Sequence, residues 1–441
     1  MNNSLKIICV VHFILSAGIS YSQKWTTVGN GFNFYPDKLI HEPNNNVLYA
    51  VGSFTKTGEI PLHYAAQFTG TGWDSIPFLA GNYADRNVFS YNGDILFGHD
   101  PILRWNGTQL DTFLKFSGGG SGRGFLVYNN DLVVYGSFDS INGLAARSIA
   151  KWDGVNWSAF DTTIWYQPIV AAIEYKGELY IGGNMSNYNG SMKRLARWNG
   201  AQWQPVDSGI RGGFASVGSF EIYDNDLYIA GGFSSVDSNP GNCIARWDGT
   251  HWKNAGVGVT SANAAIFDLQ VYNNELFACG QFTEMDGMPI NGIAKWDGNR
   301  WCGLGQNGQP NYTINCMAVY DDELYVGGPF LTIDGDTMNY VAKWVGNDFT
   351  DTCGLTTGVK EPNGKVDWQL YPNPSTGKLT IQSSAASFSF QILSTDGRVL
   401  MQSTAVQQPN FDVDVSALPA GLYFLQLWDG GHQVVKKFVK E

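Results

Sequence analysis

The sequence predicts an all-β fold, and its internal repeat is the main reason. A unit of roughly 48 residues recurs along the 441-residue chain, a period typical of repeat architectures. Tryptophan marks one position of the unit, at Trp105, Trp152, Trp198, Trp247, Trp296 and Trp344, with Phe68 in the earliest copy. No stretch shows the sustained 3.6-residue apolar period of an amphipathic helix, which argues against helical repeats.

Each copy of the unit resolves into four short strands. In one copy, residues 266–271 turn through Asn273-Asn274 into 276–280, and residues 292–296 then turn through Asp297-Gly298 into Trp301. Asn-Asn, Asn-Gly and Asp-Gly pairs supply the positive φ angles of tight hairpins. A helix-free, four-stranded unit repeated seven times predicts a β-propeller of seven four-stranded blades, with six or eight blades as the alternatives.

The segment that begins at Trp25 is expected to close the ring. It resembles the last strand of a repeat, whereas the last copy is weak there, with Trp344-Val345-Gly346 and Phe349 replacing the usual motif. If residues 24–29 supply the outer strand of the last blade, the two ends of the propeller are joined and no long edge is exposed.

The repeat positions are expected to serve packing and turns. The tryptophans should pack between neighbouring blades, each contributing about 1.5–3 kcal/mol through burial; a ladder of sugar-stacking platforms is the alternative. The acids that follow each hairpin turn are interpreted as solvated turn residues, not calcium ligands, because the loops lack an EF-hand pattern. These acids are Asp131, Glu178, Asp226, Glu275 and Glu323.

The repeat resembles a known class of blade. Its pattern, Tyr-Val-Gly-Gly-x-Phe followed by Ile-Ala-Lys-Trp-Asp-Gly-x-x-Trp, is similar over residues 23–354 to kelch-like blades of secreted bacterial proteins and of the fungal cell-polarity-marker family. The resemblance implies the fold alone, because propellers host enzymes, lectins and scaffolds alike.

The amino-terminal residues predict export. Residues 1–22 have the form of a signal peptide, with Lys6 ahead of a nine-residue apolar run that is too short to span a bilayer. Cleavage is expected between Ser22 and Gln23. No later segment is apolar enough to cross a membrane as a helix.

After a linker at residues 355–367, residues 368–441 predict a small immunoglobulin-like β-sandwich. Alternating apolar residues are bounded there by Pro-Asn-Pro, Asp-Gly, Pro-Ala-Gly and Gly-Gly turns. The region resembles the C-terminal sorting domain of type IX secretion cargo in the Bacteroidetes, on the residues Pro372, Asn373, Pro374, Gly377, Gly421, Tyr423 and Lys437.

The resemblance to sorting domains implies three expectations. The outer-membrane secretion machinery should recognise the domain, the domain should be removed, and the cargo should be attached to surface lipopolysaccharide. A sandwich that stays attached and binds a ligand itself is the alternative.

Composition excludes some functions. The net charge of −12 argues against a nucleic-acid binder, which needs a basic footprint. The cysteines lack Cys-x-x-Cys spacing, and with few histidines no metal or cofactor is expected. After loss of Cys9, five cysteines remain; they are interpreted as small buried hydrophobic residues, with one disulfide among Cys302, Cys316 and Cys353 as the alternative.

The candidate binding residues are those that break the repeat. Trp165 and Tyr166 lie outside the repeat frame in the loop after the third copy, where an aromatic pair is expected to form a ligand platform. Arg123 and Arg211 are expected to join it from equivalent loops. The alternative is that Trp165 fills a gap between blades.

Two other irregularities predict no site. The glycine-rich residues 118–124 are interpreted as a flexible inter-blade loop, because they lead into a strand and lack a helix N-terminus. His99-Asp100 is interpreted as a plain turn.

No catalytic motif accompanies these residues. The sequence therefore predicts a secreted or cell-surface binding protein for a glycan or protein ligand. The alternatives are a carbohydrate-active enzyme with paired carboxyls in the channel and a passive surface-layer component.

Overall fold

The structure, a computed structural model, describes two parts of the chain. These are residues 25–345 and 368–441, without 44–45, 77–87, 99, 118–119, 161–164, 167, 188–189, 191, 212–215, 236–238, 305–308, 384–386, 395–397, 407, 409 and 429–432. The predicted signal peptide, its cleavage site at Ser22 and Gln23, and the predicted linker lie outside the described residues. The chain divides into two compact units, Met1–Leu355 and Thr356–Glu441.

In the described residues of the first unit, seven antiparallel sheets share one four-stranded pattern, and we number them blades 1 to 7. In blades 1 to 6 the four strands follow each other in the chain and in the sheet. Blades 1 to 3 contain Pro36–Glu42, Val47–Gly52, Ala65–Phe68 and Trp73–Ser75; Val88–Tyr91, Asp94–Phe97, Ile102–Trp105 and Leu110–Leu114; and Ser121–Tyr128, Asp131–Ser137, Ile149–Trp152 and Trp157–Ala159.

The remaining blades follow the same order. Blades 4 to 6 contain Ile169–Tyr175, Glu178–Asn187, Lys193–Trp198 and Trp203–Pro205; Ser216–Tyr223, Asp226–Gly232, Ile244–Trp247 and Trp252–Lys253; and Ala265–Tyr272, Glu275–Gln281, Ile293–Trp296 and Trp301–Gly303. Blade 7 contains Cys316–Tyr320, Glu323–Gly327, Val341–Trp344 and, as its fourth strand, Trp25–Thr27. The predicted all-β propeller is confirmed.

Short two-residue strands lie in the loops between the blade strands. They are Lys56–Thr57, Ile60–Pro61, Phe116–Ser117, Ser140–Ile141, Leu144–Ala145, Trp165–Tyr166, Glu284–Met285, Met288–Pro289, Thr332–Ile333 and Asp336–Thr337.

The ring closes as the sequence predicts. Trp25–Thr27 pairs antiparallel with Val341–Trp344, so that Trp25 lies opposite Trp344 with ring centroids 4.9 Å apart. The amino-terminal strand is thereby an integral part of the last blade. The outer edge of this blade is thus a strand of only three residues, and so short an edge limits edge-to-edge association.

The hairpin turns between first and second strands have the predicted geometry. Both central residues have positive φ in Asn129-Asn130, Asp224-Asn225, Asn273-Asn274 and Asp321-Asp322. This is the conformation of a two-residue type I′ turn, whose twist matches that of the flanking strands. Asn and Asp adopt it at low cost, which accounts for their recurrence in the repeat.

The hydrophobic core lies between the blades. Each of seven clusters of buried residues takes its members from two neighbouring blades, including one cluster that joins blade 7 to blade 1. The first strands of most neighbouring blades also lie against one another, which places them around the central axis.

The repeat tryptophans pack in these interfaces, as predicted. Eight of these tryptophans are at most 8% exposed: Trp25, Trp73, Trp198, Trp203, Trp247, Trp296, Trp301 and Trp344. They form directly opposed pairs across the last two strands of a blade, such as Trp247 and Trp252 at 4.9 Å. The Trp247 indole also donates a hydrogen bond to the Tyr180 hydroxyl of blade 4 at 3.2 Å.

The tyrosine before the hairpin turn has a structural role in blades 3, 4 and 5. Its hydroxyl donates to a carbonyl oxygen in the turn of the next blade, from Tyr128 to Gly177 at 3.2 Å, from Tyr175 to Asn225 at 2.8 Å and from Tyr223 to Asn274 at 3.1 Å. Neighbouring blades are therefore joined by hydrogen bonds as well as by apolar packing.

The repeat acids are not simple solvated turn residues, and that prediction was wrong. Each carboxylate pairs with the Lys or Arg that precedes the third-strand tryptophan, at 2.6–2.9 Å: Asp131 with Lys151, Glu178 with Arg197, Asp226 with Arg246, Glu275 with Lys295 and Glu323 with Lys343. The strand register explains the pairing, because Leu132 lies opposite Trp152 and so places Asp131 diagonal to Lys151.

The cysteines divide into two kinds. Cys302 is disulfide-bonded, whereas Cys243, Cys279 and Cys316 are free and buried. Cys316 is therefore not the partner of Cys302, and Cys353 lies outside the described residues.

The second unit is a β-sandwich, as predicted. One sheet contains Trp368–Tyr371, Lys378–Ser383 and Asn410–Asp414, and the other contains Val399–Val406, Phe388–Leu393, Gly421–Trp428 and Gln433–Lys440. Apolar residues from both sheets form one buried cluster, which includes Leu379, Ile392, Leu425 and Phe438. The unit thus has a hydrophobic core of its own.

Candidate functional site in the central channel

A cavity of about 580 Å³ lies at one end of the central channel. Its wall comes from the first strands of blades 1, 3, 4, 5, 6 and 7, with Tyr135 from the second strand of blade 3. The lining residues come from near the beginning of each first strand. The cavity therefore opens towards the face where those strands begin, which we call the entry face.

The first strands carry β-bulges at the level of the cavity. The pairing register shifts between Pro36 and Lys38, Gly122 and Gly124, Ile169 and Ala171, Val217 and Ser219, and Ile266 and Asp268. The extra residues of these five bulges are Asp37, Arg123, Val170, Gly218 and Phe267, and all five line the cavity. Because a bulge redirects a side chain, it is a recurrent device beside binding sites.

A glycine in the second strand makes each bulge sterically feasible. At Gly52, Gly136, Gly183, Gly231 and Gly280, an added Cβ would collide with the backbone of the first strand of the same blade. In blade 5, for example, the Cβ at Gly231 would meet the carbonyl oxygen of Ser216. The small-residue pair of the repeat is therefore required by the close approach of the two strands.

Asp268 is an acid of the cavity wall that is held by hydrogen bonds from three blades. Its carboxylate accepts hydrogen bonds from the Ser219 hydroxyl at 3.2 Å, the Leu269 N–H at 3.0 Å and the Met317 N–H at 2.9 Å. These donors come from blades 5, 6 and 7. Burial nevertheless raises the pKa of Asp268 to about 6, because the cost of removing the charge from water exceeds the stabilisation by the donors.

Two cationic side chains enter the same cavity from blades 1 and 3. The Lys38 ammonium donates to the main-chain oxygen of Arg123 at 3.1 Å. Burial lowers the pKa of Lys38, although the charges of Asp268 and Asp37 oppose that effect. The Lys38–Arg123 bond joins blade 1 to blade 3 directly, and no described residue of blade 2 lines the cavity.

The remaining groups of the cavity wall are partly apolar and partly polar. Phe267 is 38% exposed and presents an apolar surface, while Gln270 and Asn315 add amide groups. Beside the cavity, burial raises the pKa of Glu221 to about 7. Hydrogen-bonding groups placed around an apolar surface are typical of sites for small polar ligands.

The predicted binding residues lie in different parts of the propeller. Arg123 lies in the strand Ser121–Tyr128 and in the cavity wall, not in the expected loop. Arg211 is an exposed residue of the loop between blades 4 and 5; its N–H donates to the Asn239 side chain at 2.7 Å, and its main-chain oxygen accepts from that side chain at 3.1 Å.

Trp165 and Tyr166 form a short strand that pairs with Asn187 and Ser186 of blade 4. Loops that link one blade to the next lie on the entry face, so Trp165, Tyr166 and Arg211 share that face with the cavity mouth. Whether the aromatic pair binds a ligand stays a prediction.

The interpretation of residues 118–124 as a flexible loop was wrong from Ser121 onwards. The glycines permit the bulge and a close approach to neighbouring rings, since a Cβ at Gly124 would meet the Tyr135 hydroxyl. Gly118, Gly119 and His99 lie outside the described residues. Asp100 accepts a hydrogen bond from the Phe116 N–H at 3.2 Å.

Sequence reasoning missed most of the cavity wall, including Lys38, Ser219, Phe267 and Asp268. The repeated small-residue pair of the second strand was a usable signal, because it marks the level at which each first strand is bulged. The residue types at the bulges differ from blade to blade, so the repeat pattern did not reveal them.

In the sandwich, the residues of the predicted sorting motif hold the terminal strand. The Asn373 side chain donates to the Lys437 carbonyl oxygen at 3.2 Å and accepts from the Val439 N–H at 2.9 Å. The Tyr423 hydroxyl donates to the Pro419 oxygen at 2.8 Å, and its ring stacks on Phe438 at 5.6 Å.

The other motif residues lie around this contact. Pro372 and Pro374 flank Asn373, Gly421 pairs with Lys440, and the Gly377 oxygen accepts the Val415 N–H at 2.8 Å.

Comparison with known proteins identifies the carboxyl-terminal unit. Residues 369–441 match the family described as the secretion system C-terminal sorting domain. No protein with a curated description matches the chain.

Three solved structures are similar to the chain at low identity. The extracellular domain of a hybrid two-component system from B. thetaiotaomicron is 10% identical with a TM-score of 0.45, over 92% of this chain and 55% of that one. YjhT is 11% identical with a TM-score of 0.35, over 61% and 97%. A GH74 enzyme of Niastella koreensis is 11% identical with a TM-score of 0.37, over 93% and 86%. The chain spans about half the length of the first structure, and these likenesses assign no ligand or activity.

The class of the protein follows from its two units. It is a β-propeller joined to a type IX sorting domain, and such a domain directs export to the cell surface or the extracellular space. The sorting domain implies engagement with the type IX secretion machinery. Among the described residues, no helix is long and apolar enough to cross a membrane, and no group of side chains is arranged to hold a metal ion.

Proposed function

We propose that the exported propeller is a binding protein that takes a saccharide into the mouth of its central channel. The bulges carry this proposal, because five extra residues from five blades are turned into one cavity of about 580 Å³. A cavity of this size suits a small ligand or the end of a chain better than a flat protein partner.

The lining matches the chemistry of a sugar. Gln270 and Asn315 offer amide groups that hydrogen-bond to hydroxyls, and the exposed Phe267 ring offers a surface for the apolar face of a pyranose. The predicted platform of Trp165 and Tyr166 lies on the same entry face and would extend the site outwards.

The test is a glycan-array screen with the full chain. Phe267→Ala should abolish binding if the channel holds the ligand, and Trp165→Ala should weaken it if the loop extends the site. Val155→Ala is the control, because Val155 is 74% exposed in a turn on the opposite face of the propeller. Failure of the wild-type chain to bind any glycan would refute the proposal and favour a protein partner.

A carbohydrate-active enzyme is the second candidate, and the carboxyls Asp37 and Asp268 in the channel favour it. A carboxyl with a pKa of about 6 is suited to general acid catalysis. Incubation of the bound glycans with the full chain should give no new reducing ends if the protein only binds. Cleavage that Asp268→Asn abolishes would establish the enzyme. The presence of a polar cavity argues against a passive surface-layer component.

We also infer that the repeat is kelch-like and that the amino-terminal residues are removed as a signal peptide between Ser22 and Gln23. The glycine pair and the Trp-Asp-Gly turns support the first inference. Loss of the sorting domain and attachment to lipopolysaccharide are proposed for the mature form. Mass determination of the surface-associated protein tests both the cleavage and the attachment.

A further inference from the structure

We infer that the saccharide bound in the channel carries a carboxylate and that the Arg123 guanidinium binds it. This inference rests on the proposed function and narrows its ligand to acidic sugars, such as those that contain uronic acids.

The first argument is the placement of Arg123. It is the extra residue of the bulge in blade 3 and lies between Gly122 and Gly124. The backbone at Gly124 lies so close to Tyr135 that a Cβ would meet its hydroxyl. Arg123 is therefore the single long side chain on this short stretch, and the bulge directs it to the cavity wall.

The second argument is that Arg123 needs an acceptor. Its Nε is buried and has no hydrogen-bond partner among the described residues, and no described Asp or Glu forms an ion pair with its guanidinium. A buried donor without a partner is costly. The planar guanidinium fits a carboxylate through two parallel hydrogen bonds, so an acidic ligand would satisfy it better than a neutral one.

The third argument is that the negative charges of the acids around the cavity are already balanced by other groups of the protein or reduced by protonation. Asp268 accepts three hydrogen bonds and lies in the field of Lys38, and Asp37 also lies in that field. Glu221 has a pKa raised to about 7 by burial, which reduces its negative charge near neutral pH. Arg123 is therefore the cation left to meet a charge on the ligand.

The size and the apolar part of the cavity favour a sugar acid over a small inorganic anion. The volume of about 580 Å³ far exceeds what such an ion fills, and Phe220 and Phe267 contribute apolar wall. A carboxylate on a sugar ring combines a charged group for Arg123 with a ring face for Phe267.

The test compares glycans that differ only in charge. The full chain is screened on an array of neutral, carboxylate-bearing and sulfated glycans, and the affinity for the best ligand is measured by calorimetry. We expect binding to carboxylate-bearing glycans. Reduction of the carboxylate to an alcohol in the same glycan should weaken binding by roughly 10- to 100-fold, the range set by a charge-assisted hydrogen bond.

The protein variants provide the matched comparison. Arg123→Gln should weaken binding by a similar factor, Arg123→Lys should restore part of it, and Arg147→Gln, which removes an exposed arginine of the same blade that does not line the cavity, should change it less than twofold. Thermal unfolding of each variant reports whether the fold is kept. If Arg123→Gln does not fold, the carboxyl-reduced glycan still decides the question.

The outcomes separate the two proposals. Equal binding of the acidic glycan and its reduced form, or binding restricted to neutral or sulfated glycans, overturns the inference and leaves the proposed function in place. Absence of binding to every glycan overturns both.

Discussion

At the scale of the residue, Trp247 combines burial with a specific hydrogen bond. Trp247 is 4% exposed, packs on Trp252 and donates to the Tyr180 hydroxyl of the neighbouring blade. The carbonyl oxygen of the same residue accepts from the Tyr175 hydroxyl at 3.3 Å. Trp247 thus packs within its own blade and is hydrogen-bonded to the neighbouring one, so it stabilises both the blade and the interface.

Trp247→Ala should therefore lower the free energy of unfolding by about 3–5 kcal/mol, the usual cost of removing a buried Trp ring. Trp247→Phe keeps an aromatic ring and should cost less than the alanine variant, because it loses mainly the hydrogen bond to Tyr180. Denaturant unfolding of the full chain measures both. An unchanged unfolding curve for Trp247→Ala would contradict the interface role of the ring.

Glu221 gives a pH-dependent contribution to stability. Burial raises the pKa of Glu221 to about 7 in the folded protein, from 4.5 as the ordinary value. The folded state therefore binds its proton more tightly than the unfolded state does, and this contribution is fully present below pH 4.5 and lost as the pH rises through 7. Glu221→Gln has no carboxyl group to ionise at this position, so its stability should not fall in this way as the pH rises.

The stability of Glu221→Gln relative to the wild type should accordingly rise between pH 5 and pH 8, by at most about 3 kcal/mol. Denaturant unfolding at the two pH values measures the difference. A difference that does not change with pH would show that the Glu221 carboxyl titrates normally in the folded protein.

At the scale of the element, the bulged first strand and the glycine opposite it form one device. The second strand of blade 5 has Gly231 where the first strand makes its closest approach, and the Gly231 N–H donates to the Cys243 oxygen at 3.0 Å. The bulge then turns its extra residue, Gly218, to the cavity. The same device serves five blades, with a different residue at the wall each time.

Two glycine substitutions in blade 5 test this device. Gly231→Ala places a Cβ against the Ser216 carbonyl oxygen and should destabilise the chain by about 1–3 kcal/mol through overpacking. Gly218→Ala is the matched control, because nothing lies within 4 Å of its Cβ position. Thermal unfolding of both variants measures the effect. Equal melting temperatures would show that the strands can separate at the bulge without cost.

This device also marks the limit of what the sequence predicts. The hairpin turns, the interface tryptophans and the closing strand at Trp25 follow from residues that recur in register. The residues of the cavity wall do not follow from the repeat. Asp37, Arg123 and Phe267 share a backbone position, the bulge of a first strand, but they do not share a residue type. The ion pair between Asp131 and Lys151 was missed for another reason: it depends on the strand register, which spacing alone does not fix.

At the scale of the whole molecule, the two units have separate cores and separate tasks. The propeller is stabilised by clusters between its blades, and the sandwich has one cluster of its own. Within the sandwich, Asn373 is hydrogen-bonded to the terminal strand, and the Tyr423 ring stacks on Phe438. Removal of the sandwich therefore takes away the sorting signal without removing any described residue of the propeller core.

Deletion of residues 370–441 should consequently leave a folded propeller that is not exported across the outer membrane. Cell fractionation followed by immunoblotting should find the shortened chain in the periplasm and the full chain at the surface or in the medium. Resistance of the shortened chain to protease would show that it is folded, so that its retention reflects the missing signal. Asp412→Asn alters only exposed contacts, the ion pair with Lys378 at 2.7 Å and the hydrogen bond from the Thr380 hydroxyl at 2.6 Å, and should be exported normally. Normal appearance of the shortened chain outside the cell would show that the export signal lies in the propeller.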